Sequence, residues 1–206
     1  DHILETLDPG DFYGESGVLQ DLTAFYRVRT GSQGAEVYRV NREMLLGIPV
    51  VRWKLCEVHE RRTRMLVNQR LVSGPVPGWR YEYRTNVEAM DAQHRELFAL
   101  AEDLHATIVS DGVGEAEMGG ALESYIEQTE KHFADELALM QEYGFPGSGK
   151  HGGKHAKLLR SLRQLHVRGD ASDLDVDFTD FLREWVTHLL TEDRRYGGYL
   201  NDVGVS

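Results

Sequence analysis

The spacing of histidines and carboxylates in the second half of the chain constrains its fold more than any other feature. His94 stands first, His132 is followed four residues later by Glu136, His151 four later by His155, and His188 five later by Asp193. Residues four apart in an α-helix lie one turn above each other on the same face. His132 with Glu136, and His151 with His155, can therefore each bite one metal site, provided that the segments carrying them are helices.

Five imidazoles and two carboxylates are too many for a single tetrahedral zinc and too rich in nitrogen for calcium or magnesium, which take oxygen ligands. Two transition-metal ions bridged by the carboxylates use all seven donors. Iron suits this set best, because imidazole and carboxylate both serve it.

Hydrophobic periodicity predicts the four helices directly. The first begins near Met90, carries Leu97, Leu100, Ala101 and Leu104, and ends near Asp111-Gly112. The second runs from about Glu115 to Tyr143 with Leu122, Tyr125, Ile126, Thr129, Phe133, Leu137 and Met140 on one stripe, and Gly144 and Pro146 stop it. The third covers roughly Lys150 to Val167 and is closed by Gly169; the fourth starts near Ser172 and passes Phe178, Phe181, Leu182, Trp185 and Leu189. Short connections between long amphipathic helices predict an up-down-up-down four-helix bundle. His188 and Asp193 do not fit an ideal helix, since five residues place them about 140° apart. Non-α hydrogen bonding or a local bend is expected between Trp185 and Tyr196, because a π-type turn brings positions five apart closer in phase.

The stretch Trp79 to Asn201 resembles a bacterial hemerythrin domain. The residues that carry the likeness are Trp79, Tyr83, Val87, Asp91-Ala92-Gln93-His94, His132-Phe133 with Glu136 and Met140, Phe145-Pro146, His151 with His155, and His188 with Asp193 and Tyr196. The resemblance implies that His151, His155 and His188 hold one iron and His94 and His132 the other. Glu136 and Asp193 would bridge the two, and the less coordinated iron would leave a position for dioxygen. Two departures stand out. Leu137 follows Glu136 where relatives commonly have a second glutamate, and Trp185 lies three residues before His188 where the family tryptophan usually lies four before, which places Trp185 in or beside the oxygen pocket.

The first third reads differently. Short β-type runs, clearest over Glu36 to Val40, are broken by Pro9-Gly10, Gly14, Gly17, Gly31 and Gly34. Leu7 to Gly17 resembles the later half of a cyclic nucleotide-binding barrel, whose Gly-Glu pair, here Gly14-Glu15, opens the ligand cassette, and Arg42 onward resembles its closing helices. The arginine that this resemblance calls for at the cyclic phosphate is replaced by Leu22, before Thr23-Ala24, with Arg27 and Arg29 the only nearby substitutes. A degenerate barrel that does not take a cyclic nucleotide is expected, and a chain that begins at Asp1 would hold about half of it. A basic helix from about Val51 to Leu71, with Leu55, Val58, Arg62, Met65, Leu66 and Gln69 along one side, is a candidate homodimer contact.

The expected fold class is thus α+β in two domains: a partial barrel with its closing helix over 1–72, a linker over 73–78, and a helical bundle over 79–206. Charge divides at the same place. Ten basic and ten acidic side chains balance through residue 78, and 13 against 24 follow, so the whole net charge of −11 lies on the larger segment. That surface repels phosphates and excludes nucleic acid as the expected partner. One cysteine, Cys56, excludes a disulfide scaffold and fits a cytoplasmic protein. No apolar run approaches the roughly 20 residues that span a bilayer, so no membrane association is expected.

Two functions are compatible with these donors. The first is a non-haem di-iron module that binds dioxygen reversibly as sensor, store or carrier; the second is a di-iron enzyme or sensor acting on peroxide or nitric oxide. Few carboxylates against many histidines favour the first.

Overall fold

The computed structural model describes residues 3–20, 26–72, 76–168 and 171–206. The chain divides into two compact units, Asp1–Leu66 and Val67–Ser206.

In the first unit, three helices form: α1, Glu15–Gln20; α2, Arg42–Leu46; and most of α3, Pro49–Val72. Asn41 starts α2 by accepting hydrogen bonds from the backbone N–H of Glu43 and Met44. The buried side of α3 is a helical stripe of Leu55, Val58, His59, Arg62 and Thr63. Arg62 is its centre. Its Nε donates to Glu5 Oε2 at 2.7 Å and its Nη1 to Glu15 Oε2 at 2.8 Å, while the Tyr26 hydroxyl donates to Glu15 from the other side. Arg61 adds a second donor to Glu5 at 2.6 Å.

These observations correct the α+β expectation. No strand occurs among the described residues, so there is no β-barrel, and the likeness to a cyclic nucleotide-binding domain is not supported. The turn punctuation was real: Gly10 adopts φ +98°, and the backbone N–H of Asp11 donates to Asp8 O at 3.0 Å. The β-type composition of 26–40 did not suffice, because a strand exists only where a neighbour takes its backbone N–H and C=O groups. Val37 and Tyr38 are instead 62% and 83% exposed. Glu15, expected at a ligand cassette, is spent inside the protein on Arg62 and Tyr26. Leu22, Thr23 and Ala24, the linker residues Ser73 to Pro75, Gly169 and His2 lie outside the described residues.

The second unit is a bundle of four long helices: α4, Glu88–Val109; α5, Glu115–Glu142; α6, Ser148–Arg168; and α7, Ala171–His188. Each packs on the next, and α7 returns against α4. The short connections make sequential helices antiparallel. Helix α5 ends where Gly144 turns left-handed at φ +69°, which lets the backbone N–H of Phe145 close on Met140 O at 2.8 Å. A single 3₁₀ turn, Tyr81–Tyr83, precedes α4. The following backbone is folded back by Asp91, whose carboxylate accepts from the N–H and hydroxyl of Thr85 and from the N–H of Asn86.

The core takes in most of the predicted stripes of α4, α5 and α7 and adds Phe98 and a stripe on α6. Leu97, Phe98, Ala101 and Leu104 of α4, Leu122, Tyr125, Phe133 and Met140 of α5, Leu158, Leu162 and Leu165 of α6, and Phe178, Phe181, Leu182 and Trp185 of α7 are all buried. Each such large side chain contributes ~1.5–3 kcal/mol relative to exposure. After His188 the ladder widens into a π turn, Leu189–Asp193, and then resumes as α8, Arg194–Asp202. The non-α hydrogen bonding expected between Trp185 and Tyr196 is therefore present. Thr187 and Thr191 donate their hydroxyls to the carbonyls of Arg183 and Thr187 along this stretch, a bonding pattern that competes with the regular backbone ladder.

Candidate metal centre

All seven residues singled out from spacing are buried and lie together in the middle of the bundle. His94 comes from α4, His132 and Glu136 from α5, His151 and His155 from α6, His188 from the end of α7, and Asp193 from the π turn. The widened turn resolves the phase problem, bringing His188 Nε2 to 2.9 Å from Asp193 Oδ1.

The donors form two overlapping groups. His151, His155, His188 and Asp193 each offer one ligand atom, all within 4.8 Å of one another. On the other side, His94 Nε2 is 3.5 Å from Asp193 Oδ2, His132 Nε2 is 3.8 Å from Glu136 Oε2, and the two imidazole centroids are 4.6 Å apart. The carboxylates join the groups: Glu136 Oε2 also lies 3.1 Å from His155 Nε2.

His188 Nε2 is in hydrogen-bond contact with His155 Nε2 at 3.0 Å and His151 Nε2 at 3.2 Å, but the approaches to the carboxylates lack hydrogen-bond geometry. Both oxygens of Glu136, both of Asp193, and the Nε2 atoms of His94 and His132 are buried without a hydrogen-bond partner. A buried polar atom left unpaired costs about 1–3 kcal/mol, and more if charged. Six such atoms converging on one centre are the arrangement that a bound cation satisfies. The donor set fits imidazole-and-carboxylate transition-metal coordination.

The electrostatics agree. Burial and the neighbouring His94 push His132 down to about 3, so it is a neutral donor. Burial also opposes charge on His151, but Asp193 and Glu136 overcome it and hold that imidazole up at about 10. Burial and Asp193 raise Glu136, yet His151, His155 and His132 hold it below the ordinary carboxylate range; Asp193 is likewise lowered, by His188 and His151 against burial. Both carboxylates remain anionic, and positive charge is what the centre draws in.

Trp185 is fully buried, tilted against Phe98 at 4.7 Å and edge-on to His94 at 6.4 Å between centroids. It walls the His94 side, and its indole N–H has no partner. Two further histidines have other partners: His59 contacts Ser16, and His105 contacts Asp175 at 2.9 Å. The side chain of His166 lies outside the described residues.

Residues that spacing did not single out also surround the centre. Gln93 touches His132, Lys154 pairs with Glu192 beside the π turn, and the buried Tyr196 lies edge-on to His151 with its hydroxyl pushed strongly toward the neutral form by burial, Glu136 and Asp193. Gln93 and Tyr196 stand among the residues that carry the family resemblance, though without a role there; Lys154 and Glu192 belong to tertiary packing. Leu137 packs by its methyl carbons over Gly152, where an added Cβ would meet them at 3.5 Å, so the departure at this position is filled by apolar contact.

Comparison with known proteins gives one consistent answer. The family model "Hemerythrin HHE cation binding domain" matches residues 85–200. A bacteriohemerythrin from Methylococcus capsulatus is 32% identical over 123 residues, covering 58% of this chain and 92% of that protein. The myohemerythrin of Sipunculus nudus is 28% identical over 130 residues, covering 61% of this chain and 98% of that protein. A bacteriohemerythrin from Stenotrophomonas maltophilia is 24% identical over 120 residues, covering 57% and 77% respectively. No solved structure matches the chain significantly. No helix among the described residues is long and apolar enough to cross a membrane.

Proposed function

Because the chain belongs to the hemerythrin family, with a cation-binding domain over residues 85–200, we propose that its buried centre holds two iron ions and binds dioxygen reversibly. The observation that carries this reading is the set of unpaired buried atoms on Glu136, Asp193, His94 and His132, set against the close cluster of His151, His155 and His188. His151, His155 and His188 would hold one iron, His94 and His132 the other, with Glu136 and Asp193 shared. Bound iron would supply redox-active chemistry toward a small diatomic ligand.

The chain's own residues set the conditions for that chemistry. Trp185, Phe98 and Phe133 surround the donors with apolar surface and keep bulk water away. The lower donor number falls on the side of His94 and His132, which is also the side that Trp185 walls. Five imidazoles against two carboxylates support binding over oxidation of a substrate. Residues 73–78 are proposed as the linker that precedes this domain.

Iron quantitation on the purified full chain, with optical spectra of the reduced protein before and after admission of air, tests the reading. Two irons per chain and a spectrum that reverts on removal of oxygen are expected. One metal or none, or an irreversible change on first exposure, overturns it.

A further inference from the structure

Gln93 stands on α4 beside His94, yet its side chain serves the other helix. Its Oε1 lies 2.9 Å from His132 Nδ1, and its Nε2 donates to Asp135 Oδ2 at 2.9 Å. The amide is gripped at both ends, and this fixes its orientation. The carboxylate of Asp135 only accepts, so the NH₂ group of Gln93 must face it and the carbonyl oxygen must face His132. A carbonyl oxygen only accepts, so Nδ1 of His132 must carry the proton, and the lone pair resides on Nε2.

That nitrogen is the one aimed into the centre, buried without a partner and 3.8 Å from Glu136 Oε2. The other histidine on this side is arranged differently. His94 stacks on Trp79 at 6.2 Å, and its Nδ1 is without a partner. A cavity of about 20 Å³, lined by Gln93, Glu96, Leu97, Gln128, Lys131 and His132, adjoins the His132 ring. A space of that size admits about one water. Without Gln93, water could take the place of the amide and leave the ring free to change tautomer.

We infer that Gln93 is the positioning residue of His132: it selects the Nδ1–H tautomer and holds the ring so that Nε2 faces the cation, with Asp135 as the outer anchor. This rests on the proposed metal centre for its purpose. The geometry of Gln93, His132 and Asp135 does not depend on which metal is bound. An orienting partner on the non-ligating nitrogen typically sustains about 10–100-fold in metal affinity.

The test has two arms on the full chain. Proton–nitrogen correlation spectra of the metal-free, ¹⁵N-labelled protein report the tautomer of His132. Nδ1–H is expected in the parent, mixed tautomers in Gln93→Leu, and Nδ1–H again in the double variant Gln93→Glu with Asp135→Asn, which restores an acceptor toward His132 and a donor behind it. In the second arm, cobalt(II) titration followed by its visible spectrum is expected to show the weaker of two binding steps lowered about 10–100-fold in Gln93→Leu and recovered in the double variant. An Nε2–H tautomer in the parent overturns the inference without any substitution, even if Gln93→Leu does not fold. So does a Gln93→Leu protein that keeps the tautomer and binds cobalt within twofold of the parent. A parent that has the Nδ1–H tautomer but binds no cobalt instead refutes the proposed metal centre and leaves the role of Gln93 in orienting the ring intact.

Discussion

Glu136 of α5 and Asp193 of the π turn reach the same imidazole from different elements: His151 Nε2 is 3.5 Å from Oε2 of the first and 3.3 Å from Oδ1 of the second. Two fully buried carboxylates held this close to one ring repel each other and need shared positive charge. Chelation of metal is therefore expected to lower the melting temperature of the bundle markedly. Glu136→Ala is expected to lose both ions together. Calorimetry with metal analysis checks both, and a chelated protein that melts with the loaded one would refute the shared-carboxylate arrangement.

The two sides of the centre should respond unequally to the loss of a histidine. His94→Ala or His132→Ala removes one of two imidazoles on its side, whereas His155→Ala removes one of three. The first two substitutions are expected to abolish oxygen binding and leave about one iron, while His155→Ala weakens the other site. Iron counts in the reverse order would disprove the assignment of ligands.

Trp185 has no exposed surface and rests on Phe98. Its replacement by alanine is expected to cost about 3–5 kcal/mol in denaturant unfolding. Replacement by leucine, which retains apolar bulk, is expected to keep the bundle folded and to open the His94 side to solvent. The oxygenated absorption of Trp185→Leu should decay faster than that of the parent, and an unchanged rate would mean that the indole does not guard the pocket.

Gly197 allows α8 to press on the segment before α4, since a Cβ built there would lie 2.6 Å from the Thr85 carbonyl oxygen. The contact is backbone and cannot swing aside. Gly197→Ala is expected to destabilise by about 1–3 kcal/mol, whereas Gly153→Ala, where nothing lies within 4 Å, is expected to show no such loss. Chemical denaturation of the two variants side by side distinguishes them.

The Arg62 cluster gives the first unit its own pH limits. Burial and the hydrogen bond to Glu15 push Tyr26 up to about 12. Its proton is kept in the folded protein but lost from the unfolded chain above about 10, so the stability it lends is complete below about 10 and disappears as pH rises toward 12. Burial opposes ionisation of Glu5, but Arg62 and Arg61 win and hold it below the ordinary range. Its contribution is present above the unfolded value and is lost as pH falls through the lowered folded one. Tyr26→Phe should remove the alkaline step specifically, as followed by tyrosinate absorbance and thermal melts. A tyrosine titration with no late component near 12 contradicts this reading.

What could be read from the residues alone depended on whether the signal was local. The stripes of α5 and α7 and the stops at Gly144 and Asp111-Gly112 placed the helix ends within about two residues, because periodicity and caps act within a turn or two. The five-residue step from His188 to Asp193 called for non-α hydrogen bonding or a bend, and the π turn supplies the first. Glu36 to Val40 misled because strand formation is decided by a partner elsewhere in the chain, which composition does not report. The hydrogen bonds of Gln93 were also invisible, since they depend on α4 and α5 lying side by side at a given rotation. The ion cluster at Arg62 joins residues 5, 15, 26 and 62 for the same kind of reason.

In terms of chain length, the π turn is one surplus residue stored inside a helix. Deleting Thr191 would bring Asp193 to four positions after His188, back on its own face, and let the ladder close as ordinary α-helix with α8 in nearly the same phase. An inserted residue finds no such place; it rotates Asp193 and α8 onward by about 100°. Tolerance of length change at this point is therefore one-directional: the deletion is expected to keep metal content, and the insertion to lose it. Counting residues from His188 to its carboxylate is an unsafe guide to register in such a helix, since the loss of one position can leave the same side chain in the same place.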